Sequence, residues 1–582
     1  MQLDEAYKVV GECGFYHFSI YILVCIFGQV ISVWHMLGIT FLGGTPLHHC
    51  WIPDWATLND SIPLVESDDG TWEYSSCTMY DNYTASSNST VSCEQGWVYD
   101  PSHELTIVTE WDLVCDKSAY VDISQAIFMT GVMFGSVTFG QLSDIFGRRP
   151  VWFLSLWVQL VIAVSVAFTQ SYAAFTILRF FVGFLEQGVD ITAYVMVTEM
   201  FTPKWRTYAG VNLTIFWAIG IMILPMMASS IDHWRYLQLA ISLPAVLSIP
   251  LWWIVPETPR WLLSKARVVD AEKILQKIGR RQRRNVPDNI LTDEANYPPI
   301  NMQIVSSEGV VADEARDSTN TAPEDKDSNK IHHLGTIPVH IISDDGDSCK
   351  HSSEVHSEKN TDNNSIESTD ENKDTKKYNI TDLFRTPTVR MYSLIMIFVW
   401  MVNSLVYYGL SLNTDLLAGN KYFNFFLSGA VEIPAYILSA FAIDIWGRRI
   451  PLCTFHIIGG VACILTGFIP EETSDGTDLS TLVVVIAMTG KFGIAGSFAI
   501  VFLYSTELFP TVIRNLGVGA SSFSSRIGGI LAPLIVLLEA YVSGLPLLIF
   551  GVLSVAAGLL VLVLPETKGR VQPKTIEDVE TR

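Results

Sequence analysis

The sequence predicts an all-α membrane protein: twelve transmembrane helices in two six-helix halves. Three observations predict it. The 582-residue chain is 49% hydrophobic and only 16% charged, with a mean hydropathy of +0.32, which is a membrane-protein composition. Twelve segments reach the ~20 apolar residues that a spanning helix needs. They cover roughly 16–42, 119–142, 150–169, 172–197, 208–229, 235–255, 390–411, 421–443, 450–470, 479–502, 515–538 and 541–564. Lastly, Asp144-Ile-Phe-Gly147-Arg148-Arg149 recurs 300 residues later as Asp444-Ile-Trp-Gly447-Arg448-Arg449, each copy lying between two apolar segments. Thr198-Glu199-Met-Phe is echoed by Thr506-Glu507-Leu-Phe, and Pro256-Glu257-Thr258 by Pro565-Glu566-Thr567. Three pairs in one order mean that the membrane part was built twice. Parallel repeats of this kind are an architecture of secondary transporters, with the substrate between the halves.

The first span, in the N-terminal section 1–42, follows Asp4, Glu5, Lys8 and Glu12. It is too long for a signal-peptide core and is read as retained. Residues 43–118 form a large loop with Cys50, Cys77, Cys93 and Cys115 and with sequons at Asn59, Asn82 and Asn88. Four cysteines in an oxidising space read as two disulfides with three possible connectivities, and the sequons as glycosylation sites. Spans 2–6 occupy 119–255 and complete the first half. A linker at 256–389 follows, basic and amphipathic at first, then acidic and poor in aromatics over about 286–378, a composition that cannot bury a core. Its histidines, among them His332, His333 and His340, have irregular spacing, so a solvated linker is expected rather than a metal site. Spans 7–12 fill 390–564, and a tail covers 565–582.

Basic residues in short loops (Arg148, Arg149, Arg260, Lys265, Arg448, Arg449, Lys568) fall on one side when the helices alternate, which marks that side and both termini as cytoplasmic. The net charge of −22 comes without a basic patch outside those loops, so nucleic acid is not an expected partner. No Walker A loop, H-E-x-x-H or G-x-S-x-G elbow is present, which argues against an enzyme or an ATP-driven pump. No cofactor is expected.

Ionisable residues inside spans are costly and usually face a cavity. Glu186, Asp190 and Tyr194 recur every four residues and share one face of span 4. Span 8 carries Glu432, span 10 Lys491, and span 11 Arg526 among serines and glycines that let a neighbour or a ligand approach. Trp400 and Tyr407 share a face of span 7, and aromatic faces beside carboxylates suit an ammonium group. The alternative is that these charges are mutual ion pairs holding the bundle together. The paired loops, with Asp144, Gly147, Arg148, Arg149 and their counterparts Asp444, Gly447, Arg448, Arg449, are read as a gating latch. Its arginines would pair with Glu199 and Glu507 and hold the halves together.

In combination, further motifs resemble one family. They are Gly43-Gly-Thr-Pro46-Leu-His-His-Cys50, Phe139-Gly140-Gln-Leu-Ser-Asp144 running on to Arg149, Arg179-Phe-Phe-Val-Gly183, Pro256-Glu-Thr-Pro-Arg260-Trp-Leu-Leu, Asn403-Ser-Leu-Val-Tyr-Tyr-Gly-Leu-Ser-Leu-Asn413, Val431-Glu-Ile-Pro434 and Tyr504-Ser-Thr-Glu507-Leu-Phe-Pro510. The chain resembles the organic cation/carnitine transporters (solute carrier family 22) of the major facilitator superfamily. The resemblance implies that fold and a plasma-membrane carrier of small organic ions. Trp400, Tyr407 and Glu432 would line its central site, with Glu432 the acidic partner of a cation. At the position of Arg526, cation-selective members have Asp, while anion-selective and carnitine-type members have a base. A carnitine-like zwitterion is therefore expected first, then an organic cation, then an organic anion. A transport-inactive receptor on the same fold is the reading from another class. Glu186 and Asp190 lie outside the family's pattern. The implied partners are the bilayer, a small organic ion and a coupling ion, sodium or a proton.

Overall fold

The computed structural model describes residues 3–12, 14–66, 72–83, 89–93, 95–100, 104–287, 290–291, 378–415, 417–469 and 478–581. The sequon Asn88 and the linker stretch 292–377 with its histidines lie outside them. Twelve apolar helices cross the described bundle. In the first half they are α1 (Phe15–Leu42), α2 (Ala119–Phe146), α3 (Arg148–Val166), α4 (Tyr172–Glu199), α5 (Pro203–Ala228) and α6 (Trp234–Trp253). In the second half they are α7 (Pro387–Leu412), α8 (Lys421–Trp446), α9 (Arg449–Phe468), α10 (Ser480–Leu508), α11 (Arg514–Val536) and α12 (Leu545–Val561).

Local chemistry sets the ends. The Ser171 hydroxyl caps α4 by accepting from the Ala174 amide, and the Asn420 side chain caps α8 at Tyr422 and Phe423. Pro203 and Pro387 open α5 and α7, where a missing N–H costs nothing. Pro244 and Pro250 lie in the second part of α6, which winds as a 3-10 helix over Leu243–Trp253. The first helix is not uniform: Phe15–Cys25 is α-helical, Ile26–Val30 is a π-turn, and the α-helix resumes at Ile31. Outward-facing side chains such as Phe134, Leu154, Phe181, Phe441 and Val552 are exposed and apolar, which suits lipid contact.

Helices α2 and α4 pack together, as do α7 and α11, and α9 lies against α10 and α12. The halves meet where α2 packs on α11 and α5 on α8. Gly131 and Gly135 of α2 face the α4 backbone at Phe180 and Phe184, and Gly528 of α11 faces Met401 of α7. The loop after α1 carries three two-stranded antiparallel pairs, His48–Cys50 with Trp97–Tyr99, Leu64–Glu66 with Trp72–Tyr74, and Thr78–Tyr80 with Thr90–Ser92. Of the three connectivities it takes Cys50–Cys93 and Cys77–Cys115. His48 lies near Cys77 and Cys115, but the disulfide already occupies both sulfurs.

The segments after the two Pro-Glu-Thr motifs fold back onto the bundle. Pro259–Ser264 and Val268–Arg281 are helices, and the helix Leu3–Val10 joins them through the Asp4–Arg260 ion pair. Of the tail expected at 565–582, the described residues 565–581 pack in the same way. The carboxylate of Glu580, in the helix Ile576–Glu580, accepts from the amides of Thr388 and Val389 at the start of α7.

Candidate functional site

The repeated loops build two clasps of one design. In the first half Arg148 Nη2 lies 2.9 Å from Glu199 Oε1 and Nη1 lies 2.7 Å from Asp144. The Glu257 carboxylate accepts from the amides of Arg148 (3.1 Å) and Arg149 (3.2 Å), and the Thr258 hydroxyl donates to Glu199 at 2.5 Å. In the second half Arg448 Nη2 lies 2.9 Å from Glu507, Glu566 accepts from the amides of Arg448 (2.9 Å) and Arg449 (3.0 Å), and Thr567 donates to Glu507 at 2.6 Å. Gly147 and Gly447 have φ of +108° and +88°, and a Cβ would lie 2.4 Å from Glu257 and 2.5 Å from Glu566. Only glycine suits a left-handed turn pressed against a carboxylate.

This geometry corrects the expected latch. Each arginine pairs inside its own half, because Glu199 ends α4 beside the α2–α3 loop and Glu507 lies near the end of α10 beside the α8–α9 loop. The clasps therefore brace each half and do not tie one to the other. The second arginines also differ from expectation. Arg149 stacks on Trp252 at 4.3 Å and donates to its carbonyl, and the Nε atoms of both Arg149 and Arg449 have no hydrogen-bond partner among the described residues. A tie between halves stands at the opposite end, where Lys421 of α8 lies 2.8 Å from Glu104 of the disulfide loop. Beside it Phe41 of α1 stacks on Tyr422 with centroids 5.5 Å apart.

At mid-bundle the charges fall into two groups. In the second half Lys491 Nζ lies 3.0 Å from Glu432 Oε1, both essentially sealed from solvent. Tyr436 donates to Glu432 Oε2 at 2.8 Å; Lys491 donates to Ser411 at 2.5 Å and lies 3.4 Å from the Tyr407 ring centroid. Glu432 thus already holds its cation, which corrects its expected role as the substrate's acidic partner. The two sit on neighbouring helices, α8 and α10, and the pair is closed by their packing. Tyr407 accepts from Trp217 of α5 at 2.7 Å, and Trp400 is buried and donates to Ser505 at 2.8 Å. Neither aromatic is a bare face.

The second group crosses the halves. Glu186 is fully buried and neither carboxylate oxygen has a hydrogen-bond partner among the described residues. Asp190, one turn on, is less enclosed, and its Oδ1 accepts from Gln29 at 2.6 Å. The Arg526 charge acts on both acids from α11. Arg526 Nε is buried without an acceptor, and the guanidinium makes no ion pair among the described residues. Tyr194 turns away to meet Phe502 of α10, centroids 5.8 Å apart. Two groups had no part in the expectations for this site. Gln29 is an uncharged residue in α1, and no spacing marks it. Tyr436 could have been found from its place four residues after Glu432. Arg179, noted only within a motif, donates to Gln125 at 2.6 Å and lies 4.6 Å from the Phe128 ring centroid.

The family described as sugar (and other) transporters matches residues 73–295 and 344–578. The organic cation transporter protein of Drosophila melanogaster is 36% identical, covering 100% of this chain and 95% of its own. Organic cation/carnitine transporter 2 of Homo sapiens is 32% identical over 99% of this chain and 93% of its own. Among solved structures, the inward-open xylose transporter XylE from E. coli is similar with a TM-score of 0.56 at 13% identity, covering 97% of this chain and 99% of that one. That likeness shows the major facilitator fold alone.

Proposed function

The chain belongs to the organic cation/carnitine transporter family (solute carrier family 22), a family of membrane transporters and not of enzymes, and from that membership we propose that it carries a small zwitterion with an ammonium and a carboxylate, carnitine-like, across the plasma membrane by alternating access. The observation that supports this most is Arg526, a permanent cation at mid-bundle with no ion pair among the described residues, its charge acting on Asp190. A mid-membrane charge needs compensation, and a guanidinium offers a carboxylate two parallel hydrogen bonds. The substrate carboxylate goes to Arg526 in the second half. Its ammonium goes to Asp190 in the first half, with Glu186 sealed behind. Trp400, Tyr407, Tyr194, Lys491 and Glu432 act as the surrounding scaffold.

A solute held by one pole in each half couples substrate binding to the rocking of the halves. In this reading the clasps keep each half rigid while the Glu104–Lys421 contact breaks and reforms. The clasp end faces the cytoplasm with both termini, and the disulfide loop lies outside, glycosylated at Asn59, Asn82 and Asn88. Two carboxylates against one guanidinium favour a plain organic cation as the second reading.

The test is uptake of labelled carnitine, tetraethylammonium and an aryl anion at matched surface expression, with and without sodium. Preference for carnitine supports the proposal. Preference for the aryl anion replaces it with an anion carrier, and no saturable uptake of any probe leaves the receptor reading. Retention of uptake without sodium points away from a sodium-coupled cycle.

A further inference from the structure

The π-turn at Ile26–Val30 interrupts α1 at the level of Asp190. Such turns insert one residue into a helix and often stand at functional sites. Here the turn carries two residues that bring α1 against α4. Gly28 abuts Ala193: a Cβ on Gly28 would lie 2.7 Å from the Ala193 Cβ, a distance that real contacts essentially never show. Gln29, 3% exposed, donates from Nε2 to Asp190 Oδ1 at 2.6 Å. The close approach and the hydrogen bond are separate observations, and the first makes the second reachable.

We infer that Gln29 is a positioning residue that holds the Asp190 carboxylate on the first half, apart from Arg526, so that the two poles stay open for a substrate. The inference rests on the reading of Asp190 as the ammonium pole. Its physical basis is a competition. Arg526 has no ion pair among the described residues, Asp190 lies in its field, and an unpaired acid and base in a low-dielectric interior attract strongly. Were Asp190 free to turn, the two would close on each other across the halves, and a zwitterion would then have to displace an internal ion pair. A charge-assisted bond from a buried amide fixes the carboxylate and takes up one of its oxygens without cancelling its charge. Leucine at Gln29 keeps the bulk and removes the donor. The amide is therefore predicted to act on affinity through Asp190 alone.

The experiment measures KM and maximal rate for carnitine and for tetraethylammonium in the full-length protein, at matched surface expression, for Gln29→Leu, Asp190→Asn and the double variant. Loss of a charge-assisted hydrogen bond predicts that Gln29→Leu raises KM about ten-fold for carnitine, with a smaller change in maximal rate. On the Asp190→Asn background Gln29→Leu should add little, because the group it positions has lost its charge. Gly28→Ala keeps the amide but pushes the helices apart, and should reproduce the shift in smaller degree even if Gln29→Leu is poorly delivered. Equal effects of Gln29→Leu on both backgrounds, or an unchanged KM in both Gln29→Leu and Gly28→Ala, overturn the inference. If the wild type transports neither probe, the proposed function itself fails and takes the inference with it. Transport with independent effects removes only the role of Gln29.

Discussion

The two clasps and the two mid-bundle charge groups differ in how far the halves copy each other. At the clasps the copies match nearly atom for atom: Arg148, Glu199, Glu257 and Thr258 repeat as Arg448, Glu507, Glu566 and Thr567. At mid-bundle nothing matches. The second half closes its acid on its own base, Glu432 on Lys491, while the first half keeps Glu186 and Asp190 without a base in contact among the described residues. The difference teaches where each kind of work is done. Bracing a rigid half is the same task twice, so both copies retain it. In the proposed function, reading one asymmetric solute needs different groups on the two sides, which accounts for a centre that has diverged.

The largest effect should come from splitting the closed pair. Lys491→Met leaves Glu432 buried and unpaired, which costs ~3–5 kcal/mol, and surface abundance should collapse. Glu432→Gln together with Lys491→Met removes both charges and should recover most of that abundance. Asp190→Asn, by contrast, should leave abundance near wild type. If Asp190→Asn destabilises as much as Lys491→Met, the two groups do not differ in the way described.

The clasps should then show one inequality. Arg148 has a second carboxylate, Asp144, whereas Asp444 offers Arg448 no ion pair among the described residues and only its carbonyl is engaged, by Lys568. Glu199→Gln leaves a paired arginine; Glu507→Gln leaves an unpaired one. The second should cost ~3 kcal/mol and the first ~1 kcal/mol, read as thermal unfolding of the purified protein. Equal losses would mean that Asp144 contributes nothing.

The smallest effect is on pH. Burial pushes Glu257 above the ordinary carboxylate value, outweighing the amides that donate to it. Burial also pushes Glu566 upward, but four backbone N–H donors outweigh it and hold the group low. The signs are opposite. A lowered carboxylate stabilises its closed state above its solvent-exposed pKa, and that contribution is lost as pH falls through the folded value. A raised carboxylate disfavours the closed state at high pH and ceases to do so as it takes up its proton. Going from about pH 7 to about pH 5, intrinsic-rate-corrected amide exchange should slow at Arg148 and Arg149 and stay level at Arg448 and Arg449, which speed up only once the pH falls below the ordinary carboxylate range. Parallel changes at both clasps would contradict the assignment.

Much of this was legible because it is local or repeated. Spans follow from runs of apolar residues, and the clasp residues stand in the chain twice. What a charge touches is a property of helix neighbours, which no spacing encodes. Lys491 and Glu432 are 59 positions apart and meet only because α10 packs on α8. The roles of Glu257 and Glu566 were hidden in the same way, since as sequence they only mark the repeat. Four cysteines left three connectivities open, and the fold of the loop selects one. Gln29 carried no signal at all, because a π-turn has no strong residue signature and a single glutamine in an apolar run reads as packing.

The central claim is that one solute spans Arg526 in one half and Asp190 in the other. The most direct measurement is a two-by-two comparison at equal surface expression, Arg526→Asp and Asp190→Asn against carnitine and its carboxylate-free analogue choline. The account predicts that Arg526→Asp abolishes carnitine uptake and spares or admits choline, while Asp190→Asn weakens both by roughly ten- to a hundred-fold through the shared ammonium. If Arg526→Asp transports carnitine as well as wild type does, Arg526 is structural and the two-pole site is wrong.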